Sequence, residues 1–203
     1  MTDPAAIDVS GLLRQAGIAE QTLQAALQID VVMQTWRRRA MKRELGSRAL
    51  QDLKVGIDLP HLDVLMAIVG YGSLGNEDTT EVMVGTVAER LNIDPSRASR
   101  IVSEMVDQGF ARRAASQADA RRTIIELTPR GRAVVDAVRT YKYLIMGDFL
   151  ASWTSEDVSE LVRLLGRFGS WMDEIAPSTA RHVAEIEALA QIIVQVGPKS
   201  EPA

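Results

Sequence analysis

The stretch that decides the fold of this chain is residues 81–131, EVMVGTVAERLNIDPSRASRIVSEMVDQGFARRAASQADARRTIIELTPRG. Apolar residues recur at helical spacing over its first part, at Val84, Val87, Ala88 and Leu91. This spacing predicts a short helix with one buried face. Asn92 follows where the chain must turn, and asparagine tolerates the left-handed conformation better than most residues do. The stretch is therefore predicted to open with a helix and a tight turn.

A second helix is predicted directly after this turn. Asp94 can cap it, and Pro95 suits its first position. Its buried stripe consists of Ala98, Ile101, Val102 and Met105. Four residues fall largely outside the stripe and could bind bases or phosphates: Ser96, Arg97, Ser99 and Arg100. A solvated helix face without a binding role is the alternative interpretation of these four residues.

An arginine-rich hairpin is predicted after Gly109, a residue well suited to end the second helix. Phe110–Arg113 and Thr123–Leu127 read as two short strands, joined by a polar tip, residues 114–122, that we expect to be mobile. An arginine on such a tip can enter the minor groove of DNA. A helix-turn-helix followed by a basic hairpin can place one helix in the major groove and the tip in the adjacent minor groove. The stretch therefore predicts a DNA-binding surface.

Charge is distributed in the way that this prediction requires. The whole chain is acidic, with 23 lysines and arginines against 27 aspartates and glutamates and a formal net charge of −4. Between Arg90 and Arg132, nine arginines accompany five carboxylates, which gives this window a charge of +4 and leaves −8 for the rest. A basic surface on an acidic body is expected of a protein that binds DNA. Ordinary solvated arginines are the alternative, because charge alone does not distinguish the two.

Residues 58–138 resemble the MarR family of bacterial transcriptional regulators. Asp119-Ala120-Arg121 matches the wing signature of that family, and Leu127-Thr128-Pro129-Arg130-Gly131 matches the entry into its next long helix. The resemblance implies a winged helix-turn-helix lobe that binds double-stranded DNA, usually as a repressor.

The resemblance also implies roles for single residues. Ser96, Arg97, Ser99 and Arg100 fall on the positions that meet bases and phosphates, Arg121 on the position that enters the minor groove, and Asp119 on the position that orients it. One position departs from the family pattern, since Ala120 stands where an arginine is common and Arg122 adds a basic residue. Either Arg121 or Arg122 could therefore be the residue that enters the groove.

The rest of the chain is predicted to be helical, so the expected fold is mainly α with a small β-hairpin wing. A long helix is expected over about residues 19–46 and a last helix over about residues 179–196, beyond the usual family pattern. The expected organisation is an N-terminal tail at 1–18, a dimerisation helix and linker at 19–57, the winged lobe at 58–128, a C-terminal dimerisation region at 129–196 and a tail at 197–203.

Long amphipathic helices outside the winged lobe carry more apolar surface than the lobe could cover alone. A homodimer would bury that surface, and the resemblance implies one. Two equivalent recognition helices related by a two-fold axis predict an inverted-repeat operator, with half-sites about 10 base pairs apart.

A small aromatic or phenolic effector is a further implication of the resemblance, which places it between the dimer helices and the DNA-binding lobe. Six residues are candidates to line such a site: Trp36, His61, Met66, Tyr71, Tyr141 and Met146. Ordinary core packing is the alternative for each of them.

Catalytic and metal-binding functions find little support in the sequence. Residues 70–75 fit the pattern G-x-G-x-x-G, but a predicted helix precedes them where a dinucleotide site needs a strand. The chain has no cysteine, and its only histidines, His61 and His182, are far apart in sequence. We therefore expect no enzyme activity, metal or cofactor.

No stretch of the chain approaches the ~20 continuous apolar residues of a membrane span, and no secretory leader is recognisable, so a cytoplasmic location is expected. A second class of function stays open. In it, the winged helix is a scaffold that binds a protein or a ligand without reading DNA sequence. The cluster of arginines on the hairpin argues against this alternative.

Overall fold

The computed structural model describes residues 7–70 and 80–196, and within them the chain is mostly helical with one two-stranded antiparallel sheet. The elements in chain order are α1 (Val9–Gln15), α2 (Glu20–Lys42), α3 (Glu44–Asp52), α4 (Leu59–Val69), α5 (Val84–Leu91), α6 (Pro95–Asp107), β1 (Ala111–Ala115), β2 (Thr123–Leu127), α7 (Pro129–Leu150), α8 (Ser155–Gly169), a 3-10 turn (Ser170–Met172), α9 (Ile175–Arg181) and α10 (Val183–Val196). The predicted fold class, mainly α with a small hairpin, is confirmed.

The chain divides into two compact units. The first, residues 40–152, contains α3 to α7 with the hairpin and is called the lobe below. The second combines the residues up to Arg39 with those from Trp153 onward. The lobe is larger than the predicted segment 58–128, because Ala49 and Leu50 of α3 and Val138 of α7 are buried in it together with Leu62.

The core of the lobe is formed by α4, α5, α6, the hairpin and the first part of α7. Its largest fully buried side chains are Leu65, Met105, Ile125, Val64, Val87, Val102 and Val135. The predicted buried stripe of α6 is confirmed, since Ala98, Ile101, Val102 and Met105 all lie in this core. Such close packing fixes the direction in which the opposite face of α6 points.

Local signals in the sequence end and begin the helices as predicted. Asn92 adopts the left-handed conformation at φ 49° and ψ 50° between α5 and α6. Gly109 also has a positive φ, 74°, and follows the C-terminus of α6. Two amides beyond that terminus bond back into the last turn, Gly109 N to Val106 O at 3.0 Å and Phe110 N to Met105 O at 2.9 Å. Phe110 therefore closes the helix instead of starting the strand, and β1 begins one residue later than predicted.

The N-terminal half departs from the predicted boundaries. Residues 9–15, expected in a tail, form α1, whose first turn is capped by Asp8. The long helix expected over residues 19–46 is divided into α2 and α3 at Arg43, which has φ 54°. The guanidinium of Arg43 pairs with the Asp63 carboxylate, so the residue at this break contacts α4.

The C-terminal half also differs from its predicted boundaries. Pro177 lies in the first turn of α9, where the backbone N–H that proline lacks would have no partner within the helix. α9 and α10 are separated at His182, which has φ −118° and ψ 33°. The last helix therefore begins at Val183 and not at about residue 179.

Candidate nucleic-acid interface

The first element of the candidate interface is α6, which the Asp94 cap and the core hold in place. Asp94 Oδ1 accepts hydrogen bonds from the backbone N of Ser96 at 2.8 Å and of Arg97 at 3.4 Å. The Ser96 hydroxyl also donates to this carboxylate, at 2.5 Å. These bonds, that of the Ser96 hydroxyl foremost, hold the pKa of Asp94 below its usual value of 3.8.

All four predicted contact residues of α6 are exposed: Ser96, Arg97, Ser99 and Arg100. Their side chains differ in the hydrogen-bond and ion-pair partners that they have within the protein. The Ser96 hydroxyl proton is used by the cap, whereas no described residue pairs with the guanidinium of Arg97. Arg100 lies 3.9 Å from the Glu104 carboxylate, one turn further along α6.

Glu104 connects α6 to α4 through His61. Glu104 Oε2 lies 2.9 Å from His61 Nε2, and His61 Nδ1 lies 2.5 Å from Asp58 Oδ1. The Nδ1 contact has poor hydrogen-bond geometry although the atom is buried. Asp58 in turn caps α4 by accepting from the His61 backbone N at 3.1 Å. The Glu104 carboxylate, which lies near Arg100, is thus also held by His61 of α4.

The hairpin is the second element of the interface. Its register pairs Ala111 with Leu127 and Arg112 with Glu126, so that the Arg112 guanidinium and the Glu126 carboxylate meet at 2.8 Å across the strands. Arg113 Nη2 donates to Ser103 Oγ of α6 at 2.9 Å. This bond joins the hairpin to the exposed side of α6, so that both elements belong to one packed unit.

The tip of the hairpin was predicted to be mobile, but a network of hydrogen bonds closes it. Ser116 N donates to Arg122 O at 2.9 Å, and Arg122 N donates to Asp119 O at 2.8 Å. Asp119 Oδ1 accepts from Arg121 N at 3.1 Å. A polar composition suggested mobility, whereas the polar groups satisfy one another within the turn.

The two arginines of the tip are both exposed and differ in their partners. Asp119 Oδ2 lies 3.6 Å from Arg122 Nε, whereas no described residue pairs with the guanidinium of Arg121. The resemblance implied that Asp119 orients Arg121. In the structure Asp119 contacts the backbone of Arg121 and the side chain of Arg122.

Several arginines counted in the basic window serve the fold itself. Arg130 donates to Gln108 O at 2.9 Å and stacks over Phe110, with 4.2 Å from its guanidinium carbon to the ring centroid. Arg90 donates to Ala67 O at 2.8 Å. These two guanidiniums keep their charge, but part of their hydrogen-bonding capacity is used within the lobe.

Two residues of the interface escaped the sequence pattern, Ser103 and Glu81. Ser103 lies on α6 and Glu81 just before α5, and no local motif marks either residue. Glu81 accepts hydrogen bonds from the hairpin tip, 35 and 36 residues away in sequence. No local periodicity encodes a contact of that separation.

The predicted effector residues have mixed surroundings. Tyr141 OH donates to Asp52 Oδ2 at 2.7 Å, and this bond raises the pKa of the phenol and lowers that of the carboxyl. His61 is held by two carboxylates, as described above, and Met66 is partly buried against the lobe core. These contacts agree with the packing alternative for the three residues.

Two of the remaining predicted effector residues are solvent-exposed in the single chain. Met146 on α7 is 42% exposed, and Trp36, in the other unit, is 54% exposed. Tyr71 lies outside the described residues, as does most of the glycine pattern at 70–75. Among the described residues, no three histidine or acidic side chains come together in a way that could hold a metal ion. Within the described parts of the chain, no helix is both long and apolar enough to cross a membrane.

Comparisons with known proteins agree with this architecture. A MarR family protein from Bacillus stearothermophilus has a TM-score of 0.56 and 18% identity, over 72% of this chain and 97% of its own. FabT from Streptococcus pneumoniae, solved in complex with DNA, has a TM-score of 0.53 and 12% identity, over 70% of this chain and 96% of its own. MepR from S. aureus, solved bound to ethidium bromide, has a TM-score of 0.51 and 16% identity, over 68% and 95%.

At these identities the solved structures establish the fold. No curated protein sequence matches the chain significantly. Residues 55–122, from the loop before α4 to the tip of the hairpin, match the family model described as the MarR family. This segment of the chain is therefore similar in sequence to the MarR family, and the solved MarR family protein shares its fold.

Proposed function

We propose that this protein is a sequence-specific DNA-binding transcription regulator, acting as a homodimeric repressor on an inverted-repeat operator. One observation carries the proposal. The exposed face of α6 and the tip of the hairpin belong to one unit, joined by the bond of Arg113 to Ser103, and each presents a guanidinium without a partner among the described residues, Arg97 and Arg121. Free arginines on a helix and on an adjacent wing suit the major and minor grooves.

The assignment of contacts follows from this arrangement. Arg97 and Arg100, with Ser99, would meet base edges and nearby phosphates from the major groove. Arg121 and Arg122 would meet the minor groove and its flanking phosphates, with Asp119 holding the tip. Ser96 would contribute mainly as part of the helix cap. FabT, solved in complex with DNA, has the same fold and supports DNA as the partner.

Dimerisation is supported by the second unit, which leaves many large apolar side chains exposed. They lie on α2, α8 and α10 and include Leu27, Val31, Trp36, Val162, Leu165, Ile193 and Val194. Apolar surface in this quantity is expected to be covered in solution. A second copy of the chain is the economical cover, because a two-fold dimer also supplies a second recognition helix.

Release from DNA by a small aromatic ligand is part of the proposal. MepR, solved bound to ethidium bromide, supports an aromatic ligand for this fold. The candidate contacts are Trp36, His61, Met66, Tyr71, Tyr141 and Met146. A ligand that favours a dimer with the wrong spacing between its lobes would lower DNA affinity by shifting the population of conformations.

The experiment that tests sequence reading compares Arg100→Ala with Arg14→Ala on operators carrying single base substitutions. Arg14 is an exposed arginine of α1, so Arg14→Ala removes the same single positive charge as Arg100→Ala. We expect Arg100→Ala to reduce discrimination at particular base pairs by about 1–3 kcal/mol, and Arg14→Ala to leave it unchanged. A uniform loss of affinity across all operators would count against base reading by Arg100. Binding without any preference would favour the scaffold alternative.

A further inference from the structure

Glu81 is an acidic residue on a surface that the proposed function brings to a polyanion. It lies just before α5, in a segment that runs beside β2: the neighbouring Val82 is buried, and its carbonyl oxygen accepts from Ile125 N at 2.7 Å. The backbone thereby holds Glu81 against the hairpin. A carboxylate in this position would repel DNA phosphates, so its charge alone disfavours DNA binding.

Both oxygens of the Glu81 carboxylate bind the hairpin tip. Oε2 accepts from the Ser116 hydroxyl at 2.5 Å, and Oε1 accepts from Gln117 N at 2.6 Å. The bond from Ser116, followed by that from Gln117, holds the pKa of the Glu81 carboxyl below its usual value of 4.5. The residue is therefore an ionised acceptor at neutral pH, where such bonds are strongest.

Ser116 passes this contact on to the rest of the tip. It is 5% exposed, the one buried polar side chain among the described residues. Its hydroxyl donates to Glu81 and accepts from Ala118 N and Asp119 N, each at 3.1 Å. One donor and two acceptor sites are all that a hydroxyl has, so every hydrogen-bonding position of Ser116 is filled.

Asp119 completes the path to the basic side chains. Its backbone N is held by Ser116, its carboxylate accepts from Arg121 N at 3.1 Å, and it lies 3.6 Å from Arg122 Nε. A continuous series of contacts thus runs from Glu81 through Ser116 and Asp119 to the two arginines of the tip.

We propose that Glu81 is a positioning residue for DNA binding: by holding Ser116 and Gln117, it sets the tip in its binding conformation before DNA arrives. A tip that is ordered in advance loses less conformational entropy on binding, so the arginines it presents bind more tightly. This inference rests on the proposed function, in which Arg121 and Arg122 meet the minor groove.

The charge of Glu81 alone predicts the opposite effect on DNA affinity. Replacing a carboxylate near DNA by a neutral amide should tighten binding, since it removes a repulsion from phosphates. A positioning role predicts weaker binding. Whether Glu81→Gln strengthens or weakens DNA binding therefore distinguishes a simple charge effect from a positioning role.

The matched control is Glu89→Gln. Glu89 is an exposed residue of α5 in the same lobe, and its side chain makes no hydrogen bond or ion pair with a described residue. Binding of a fluorescent operator duplex by the full-length protein would be titrated for both variants over a range of salt. We expect Glu81→Gln to bind about tenfold more weakly and Glu89→Gln to bind equally or slightly more tightly. Tighter binding by Glu81→Gln would overturn the inference.

A double-mutant cycle tests whether Glu81 acts through the tip. In a protein that already carries Arg121→Ala and Arg122→Ala, we expect Glu81→Gln to have little further effect on operator binding. A full tenfold loss in that background would mean that Glu81 acts elsewhere. Ser116→Ala removes the relay without changing the charge, and it should reproduce the loss seen with Glu81→Gln.

Hydrogen exchange in the free protein separates this inference from the proposed function. The amides of Gln117, Ala118 and Asp119 donate into the network, so their exchange should accelerate at least tenfold in Glu81→Gln and in Ser116→Ala, while amides of α6 keep their rates. Unchanged exchange at the tip would overturn the positioning role, whether or not DNA binds. Accelerated exchange in a protein that binds no DNA would instead contradict the proposed function.

Discussion

Arg121 and Arg122 are adjacent arginines with different electrostatic surroundings. The carboxylate of Asp119 lies 3.6 Å from the Nε atom of Arg122 and partly neutralises it, whereas the guanidinium of Arg121 meets no described carboxylate. The backbone of Arg121 is nevertheless held by Asp119. We therefore propose that Arg121 is the residue that enters the minor groove, a choice that the sequence left open.

This difference predicts unequal effects of the two alanine substitutions. Arg121→Ala should weaken binding to all DNA sequences and reduce the slope of log K against log salt by about 0.9 for each phosphate that the protein no longer neutralises. Arg122→Ala should reduce that slope less, because its charge is already partly compensated. Anisotropy titrations at several salt concentrations measure both slopes. Equal slopes, or a larger change in Arg122→Ala, would assign the groove contact to Arg122.

At the scale of the element, α7 begins in close contact with the end of α6 and the start of the hairpin. A Cβ atom at Gly131 would overlap the carbonyl oxygen of Phe110 and lie 2.9 Å from its carbonyl carbon. Backbone cannot move aside as a flexible side chain can. The glycine of the motif Leu127–Gly131 is thus required by packing, and this explains why the motif marks the entry into α7.

Gly131→Ala should therefore destabilise the protein by about 1–3 kcal/mol, measured as the free energy of unfolding in urea. Gly147→Ala is the matched control, since Gly147 lies in the same helix with open space around it. Alanine there should be neutral or stabilising by up to about 1 kcal/mol. Equal stability of the two variants would mean that α7 shifts to admit the new side chain.

The cap of α6 predicts a pH-dependent contribution to stability. Because hydrogen bonds hold the pKa of Asp94 below 3.8, its ionised form stabilises the folded state fully above that pH. The contribution is lost as the pH falls through the lowered pKa. Asp94→Ala should thus destabilise the protein at pH 7, and the difference from wild type should narrow at pH 3. A difference that stays constant in urea unfolding at both pH values would exclude the ionised cap.

Elements with local signals could be predicted from sequence, and elements decided by distant contacts could not. Asn92, Asp94, Gly109 and Thr128 marked boundaries that the structure confirms, because a turn or cap needs only its own residues. Arg43, at the division of the N-terminal helix, pairs with Asp63, 20 residues further along the chain. Two groups of the hairpin tip, the Ser116 hydroxyl and the Gln117 amide, likewise bond to Glu81, 35 and 36 residues earlier in the chain. Such contacts leave no periodic trace in the sequence.

At the scale of the whole molecule, the exposed apolar side chains of the second unit predict a dimer. Ile193 and Val194 on α10 are 70% and 79% exposed in the single chain. Val194→Glu should shift the protein from dimer toward monomer in analytical ultracentrifugation and weaken operator binding in parallel. Gln191→Glu, on the same helix and also exposed, is the control with the same added charge.

The helical content of Val194→Glu should equal that of wild type, because the substituted side chain does not pack within its own chain. A variant that stays dimeric and binds the operator normally would show that α10 lies outside the interface. The dimer would then have to use the apolar residues of α2 and α8.

Selection of bound fragments from random DNA, followed by titration of the selected sequence over a range of salt, tests the regulator most directly. We predict enrichment of an inverted repeat whose half-site centres lie about 10 base pairs apart. We further predict that the dimer binds it at least about 1,000-fold more tightly than scrambled DNA. Recovery of no common sequence, with weak and steeply salt-dependent binding to all DNA, would contradict sequence-specific regulation by this protein.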